Sequence, residues 1–280
     1  MNALAARRWN FWGGLITALT IACAVVWAFP LYWAVISSVK PEDEVVRPYI
    51  ELWPETFTLQ HYIHTLTSTQ IGTWYVNSIA VAVGVTVICV FTSLLCGYAL
   101  SQLRFPGRTA LWWLILASFM VPTQALIINH FVLVANLGLL NKWAGIMLPQ
   151  LIHPVIIIVY KQFFDQVPRD FREAAVMDNA SELGILFKVY LPMNWGVTTA
   201  LSIVCFIWTW NAFLWPFLAV TKTEMMTVTV GITQVNDAFG IYYARELTAA
   251  VLAGLPVALA YLLFQRRVTE AITLSAGIKG

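Results

Sequence analysis

Six stretches free of Asp, Glu, Lys and Arg are separated by short polar segments. They cover roughly 15–39, 78–100, 111–134, 143–160, 195–220 and 247–264. A helix needs about 20 apolar residues to cross a bilayer, and each run is close to or beyond that length. Strand-like alternation is absent, so helices are expected rather than a barrel. The pattern predicts an all-α integral membrane protein with six transmembrane helices. Pro30, Pro122, Pro154 and Pro256 fall inside these runs, where each removes a helix hydrogen bond and favours a kink.

Composition agrees with that pattern. Mean hydropathy is +0.74 and only 11% of the 280 residues are charged, about half of what a soluble domain carries. Arg7 and Arg8 precede the first run as in a signal peptide, but the run is too long and no cleavage site follows. A retained signal-anchor helix is expected. Eleven Lys and Arg lie in the N-terminal segment, the loops at 101–109 and 161–194 and the C-terminal segment; the other three loops hold five. By the positive-inside rule both termini are expected in the cytoplasm. No repeat or linker divides the chain, so residues 1–280 read as a single transmembrane domain.

The most charged stretch between two apolar runs is "DFREAAVMDNASELGILFKVYLP", from Asp170 to Pro192. Asp170 with Glu173 fits a capping box, Asp170 being the cap. A short helix through Asp178 is predicted. Asn179 suits a left-handed helix end, and Ser181 caps a second helix that stops at Leu191-Pro192. The first helix is too short to stand without packing. The loop also carries more apolar surface than a solvated loop needs, in Phe171, Val176, Met177, Leu183 and Phe187 among others. Read from these residues alone, an amphipathic helix on the membrane surface or an ordered loop is as acceptable as a docking site.

The chain holds no intramembrane carboxylate of the kind used as a proton or sodium relay. It also has no phosphate-binding G-x-x-x-x-G-K-[ST] loop and no hydrolase motif. Uphill movement by such a chain requires energy from a partner, and nothing points to an enzyme.

The stretch "EAAVMDNASELGILFKVYLP" resembles the EAA loop of permease subunits in ATP-binding-cassette importers. Glu173, Ala174, Ala175, Asp178, Ala180, Leu191 and Pro192 match in register, and Asn179 stands where the family usually has Gly. Further segments in order are similar to the carbohydrate-uptake branch, including the smaller maltose permease subunit: "PETFTLQHY", "NSIAVAV", "YALSQLRFPGR", "MVPTQALIINHFVLVANLGLLN", "WNAFLWP" and the terminal "AGIKG". The ending "TEAITLSAGIKG" departs from the usual family ending. The resemblance implies that the loop at about 168–192, between helices 4 and 5, holds a cytoplasmic coupling helix that docks on a separate ATPase. Glu173 is the implied anchor, and Asp178-Asn179 sets the angle between the helices. It implies a bacterial or archaeal cytoplasmic membrane and, as partners, a second permease subunit, two ATP-binding subunits and an extracytoplasmic solute-binding protein. Lipid surrounds the spans; nucleic acid has no part. ATP and magnesium are expected on the ATPase, and this chain is expected to bind no cofactor.

For a sugar or glycoside cargo, aromatic faces and amides near mid-depth are the natural contacts. Gln124, His153, Trp208, Trp210 and Asn211 fit that description; helix–helix bonds or interfacial anchoring account for such residues equally well. The loop at 221–245 resembles one that reaches into a docked binding protein. Cys23, Cys89, Cys96 and Cys205 read as small core residues, and the His61/His64 pair supplies too few ligands for zinc, so no metal is expected. The alternatives are the same importer type carrying glycerol phosphate or an anionic glycoside, and a non-transporting scaffold that recruits an ATPase.

Overall fold

A computed structural model describes residues 11–236 and 240–275, which are helical with short connections. The terminal "AGIKG", together with Arg7 and Arg8, lies outside the described residues. Two compact units are distinguishable, one running to Thr69 and including Ile232–Ala253, the other made of Gln70–Gly231 and the chain from Gly254 onward.

In the first unit, α1 (Phe11–Ser38) crosses without interruption at Pro30. After it, the polar connection is held by buried charge. The Glu44 carboxylate accepts the backbone N–H groups of Glu55 and Thr56 at 3.1 and 2.8 Å. Arg47 pairs with Glu51 and Glu55, which raises its pKa. The short α2 (Gln60–Ser68) follows. Glu42 accepts from the N–H groups of Tyr243 and Ala244 at 2.8 and 2.9 Å, supplying an anion to the positive end of the last long helix.

The second unit is built around α3 (Ile71–Gln102). At 32 residues it is about 48 Å long, well beyond the bilayer's apolar thickness of about 30 Å. α3 packs against α7 (Pro154–Asp165) and α10 (Trp195–Trp210). Between them, α4 (Arg108–Phe119), α5 (Ile127–Asn136) and α6 (Trp143–Met147) form shorter pieces. Gly97 makes the α3–α7 approach possible, because a Cβ there would sit 2.6 Å from that of Tyr160.

Among the described residues, three helices are single long apolar elements, and six crossings result if each of three bent pairs counts as one. Arg108–Phe119 and Thr123–Asn136 meet at 94°, Trp143–Gln150 and Pro154–Asp165 at 50°, and Glu182–Met193 and Trp195–Trp210 at 83°. Pro122 and Pro154 mark the first two breaks. Proline pushes the residue before it out of the helical region, and His153 is extended as the cap of α7. Pro30 and Pro256, in contrast, lie within continuous helices.

The run at 195–220 differs from expectation. α10 ends at Trp210, where Asn211 caps it and returns its amide to the Ile207 carbonyl at 2.9 Å. A short α11 (Leu214–Ala219) then starts, with Pro216 in its first turn, where a missing N–H costs nothing. The hydropathy of the run is continuous, but its backbone is not. The last helix, α12 (Tyr243–Ser275), holds a further stretch long and apolar enough to cross a membrane, Tyr243–Leu263.

The first part of the 221–245 loop is less free than expected for a surface loop. Trp74 Nε1 donates to the Thr223 carbonyl at 2.8 Å, and Asn77 Nδ2 donates to those of Glu224 and Met226, both at 2.9 Å. Ser78 Oγ accepts from the Val228 N–H at 2.7 Å. Met226, Val228 and Val230 are buried, so residues 223–231 belong to the packing around the start of α3.

Candidate functional site

The charged loop folds as two helices joined by a tight turn. α8 (Arg169–Met177) begins two residues earlier than the capping-box reading places it, with Pro168 as its N-cap. Asp170 therefore does not cap. It lies in the first turn, where its charge favours the helix N-terminus. Pro168 supplies the extended backbone before the helix, so no side-chain cap is used.

At the other end of α8 the chain makes a Schellman turn. Asn179 is left-handed at φ 56°. Its N–H donates to the Val176 carbonyl and the Ala180 N–H to that of Ala175, both at 3.0 Å. This is the 5→2 and 6→1 pair that satisfies the open carbonyls of a helix end. Ser181 then caps α9 (Glu182–Ile185), its Oγ accepting the Gly184 N–H at 3.2 Å.

The second helix does not stop at Leu191-Pro192. It widens into a π turn at Leu186–Tyr190 and continues through Leu191–Met193. The extra residue in that turn relieves the clash that a proline ring makes with the preceding turn. Asn194 ends the segment, donating its amide to the Tyr190 carbonyl at 2.9 Å.

The loop's two sides have different characters. On the inner side, Arg172 of α8 pairs with Glu182 of α9, and the other Glu182 oxygen accepts the Tyr98 hydroxyl of α3 at 2.6 Å. Partial burial works against the Arg172 charge, yet Glu182 and Tyr98 beside it hold its pKa above the ordinary arginine value. Below lies a buried aromatic cluster. Tyr98 meets Tyr190 and Phe164 edge-on at 5.2 and 6.2 Å, and Phe164 stacks on Tyr160 at 5.5 Å. Ser101 donates to Asp165 at 2.6 Å, and Lys161 reaches the same carboxylate at 2.6 Å. The ends of α3 and α7 and the two-helix loop are thus one connected unit.

On the outer side, Glu173, Ala174, Asp178 and Asn179 are exposed and Ala175 and Ala180 half-buried. Met177 is 81% exposed and Leu183 61%, with Phe171 and Val176 also open. Leu191 is half-buried and Pro192 exposed at the base. Arg172, Glu182 and Tyr98 were not singled out from the sequence. Arg172 and Glu182 are ten residues apart across a turn, a spacing with no helical periodicity to reveal it.

The five mid-depth candidates do not form one cluster. Gln124 lines a cavity of about 130 Å³ with His130, Gln150, Leu214 and Trp215 among others. Trp215 donates to the Ile146 carbonyl at 3.1 Å and meets His130 edge-on at 6.0 Å. His153 packs against Trp208 at 5.7 Å, Trp208 being 47% exposed. Trp210 is 2% exposed, stacked on Phe206 at 5.8 Å. Asn211 is the exposed cap of α10. The sequence reading missed Gln150 and Trp215; an amide and an indole in apolar runs were the available signal.

Similar proteins place this arrangement. Residues 90–270 match the model for the "binding-protein-dependent transport system inner membrane component" family. The chain is 28% identical to the arabinooligosaccharides transport system permease protein AraQ of Bacillus subtilis, covering 95% of each chain. It is 30% identical to the diacetylchitobiose uptake system permease protein NgcG of Streptomyces coelicolor, over 91% of this chain and 86% of that one. It is 27% identical to the sn-glycerol-3-phosphate transport system permease protein UgpE of Brucella abortus, over 92% and 93%. The fold also matches a chain in the crystal structure of a bacterial ABC transporter that imports alginate, with a TM-score of 0.83 at 22% identity, over 95% and 99% of the two chains. With its EAA loop and bent spans, the chain belongs to the family of inner membrane components of binding-protein-dependent transport systems.

Proposed function

We propose that this chain, a permease subunit of a binding-protein-dependent ABC sugar importer, couples to its ATPase through α8. The observation that carries the proposal is the loop's two-sided construction: the Arg172–Glu182–Tyr98 chain holds its inner side to α3, while Glu173, Met177 and Leu183 stay open on the outer side. Solvent-facing apolar side chains beside charges are what a cleft on a soluble partner would bury. The loop then lies in the cytoplasm, as do both termini, in keeping with the Lys and Arg distribution. ATP and magnesium belong to two ATP-binding subunits, a second permease subunit completes the pathway, and an extracytoplasmic binding protein delivers cargo. A relative of the same fold stands in a complex with an alginate pentasaccharide-bound periplasmic protein, which supports that arrangement.

The cargo path runs by the Gln124 cavity. Gln124, Gln150 and His130 offer hydrogen bonds and Trp215 an aromatic face, the pairing that suits a saccharide. Trp208 and Asn211 are exposed elsewhere, outside that cavity. Trp210 is buried in the bundle and contributes to packing instead, and His153 Nε2 is shut off from solvent. A neutral saccharide suits the uncharged spans better than a phosphate, although a relative carries glycerol phosphate.

Tagged full-length chain, purified from its own cells in mild detergent and analysed by mass spectrometry, tests the assignment. Recovery of a second permease and an ATP-binding chain is the expected result. Recovery of the chain alone overturns the coupling role, and an ATPase without uptake supports a scaffold.

A further inference from the structure

Three side chains from three elements converge in the middle of the second unit. Cys89 lies near the centre of α3, His153 at the break before α7, and Cys205 on α10. One ligand atom of each, the two sulfurs and a ring nitrogen, lie within 4.8 Å of one another. Both cysteines are buried and carry free thiols. His153 Nε2 is shut off from solvent and has no hydrogen-bond partner, a condition that a buried polar atom seldom tolerates without a reason. Trp208 stands edge-on to the imidazole at 5.7 Å.

We propose that Cys89, His153 and Cys205 form a binding site for a thiophilic divalent cation of the zinc class. Two sulfurs and an imidazole are the donor set that such ions prefer. Zinc bonds of about 2.3 Å to sulfur and 2.0 Å to nitrogen require only small side-chain movements from the separation observed. Charge selects the valence. As the ion binds, each thiol releases its proton to bulk water, and the dication with two thiolates and a neutral imidazole carries no net charge. A neutral complex avoids the large cost of burying charge in an apolar interior, whereas a monovalent ion held by two thiolates would leave an excess negative charge. Three protein ligands leave a fourth position for water or for the Ser93 hydroxyl, which lies 3.9 Å from the Cys89 sulfur.

The bound ion ties α3, α10 and the break before α7 together. Because that break bends the fourth crossing by 50°, the ion fixes a place where the span can change shape.

Purified full-length protein, reduced and then incubated with zinc chloride and desalted, is assayed for metal by mass spectrometry. About one equivalent per chain is expected, with Cys89→Ser, Cys205→Ser and His153→Gln each lowering retention at least tenfold. The Cys23→Ser/Cys96→Ser double variant keeps it. Cobalt chloride added to the unaltered chain gives a thiolate-to-cobalt charge-transfer band, which needs no variant to fold. Zinc also raises the melting temperature of the unaltered chain and not of Cys205→Ser. Failure to retain metal together with no cobalt band overturns the proposal. So does a Cys89–Cys205 disulfide that persists under the reducing conditions, seen as two thiols missing from alkylation.

Discussion

The Tyr98 hydroxyl donates to Glu182 at 2.6 Å, joining the end of the longest span in the second unit to α9, the helix that follows the Asn179 turn. Glu182 spends its other oxygen on Arg172 of α8. One carboxylate thus links α8 to α3, and the Tyr98–Phe164 ring contact links α3 to α7. In the coupling role proposed above, docking uses the outer side of α8 and transmission the inner.

Tyr98→Phe removes the hydroxyl and keeps the ring packing. A hydrogen bond to a partly exposed carboxylate contributes about 1 kcal/mol, so the fold survives. The ATPase still co-purifies, but stimulation of ATP hydrolysis by the loaded binding protein falls several-fold. Stimulation equal to that of the unaltered protein contradicts the transmission role.

Asn179 occupies the left-handed turn. Asn179→Gly is expected to leave melting temperature and ATPase association unchanged, since glycine takes that conformation freely. Asn179→Val costs about 1–2 kcal/mol through the Cβ clash of that conformation and weakens association. Equal behaviour of the two variants argues against the turn.

Gly97 sits where α3 and α7 are closest. Gly97→Ala places a methyl group against the Tyr160 Cβ and is expected to destabilise the protein by about 1–3 kcal/mol, as overpacking does. Thermal unfolding in detergent reads the loss. Gly72→Ala, with open space around its Cβ, is the control and leaves packing unaffected.

His61 is buried in α2, with its Nε2 unpartnered. Burial lowers its pKa, and nearby Glu42 offsets part of that shift. The folded protein thus holds a proton less readily than the unfolded chain, whose histidines titrate near 6.5. The His61 contribution is complete above about 6.5 and declines as the pH falls below it. Melting temperatures measured from pH 7.5 to 5.5 are expected to drop less in His61→Gln than in the unaltered chain.

Much of this was legible in the residue pattern. Asn179 announced the turn and Ser181 the second helix start, because both effects are local to a few backbone groups. Pro122 and Pro154 announced two breaks. The break after Trp210 gave no hydropathy signal, since Asn211, Phe213 and Pro216 interrupt the backbone without charge. Asp170 misled because an acidic residue favours the first turn nearly as well as the cap. The Arg172–Glu182–Tyr98 chain and the meeting of Cys89, His153 and Cys205 arise from tertiary packing, which brings together residues 52 to 116 positions apart in the latter case; no periodicity encodes that.

The most direct test places a photoreactive residue at position 177, where Met177 is 81% exposed, in the assembled complex. Illumination is expected to cross-link this chain to the ATP-binding subunit, and the same residue at position 137, beyond α5, gives no such product. Cross-links from 137 and none from 177 would contradict the assignment of α8 as the coupling helix.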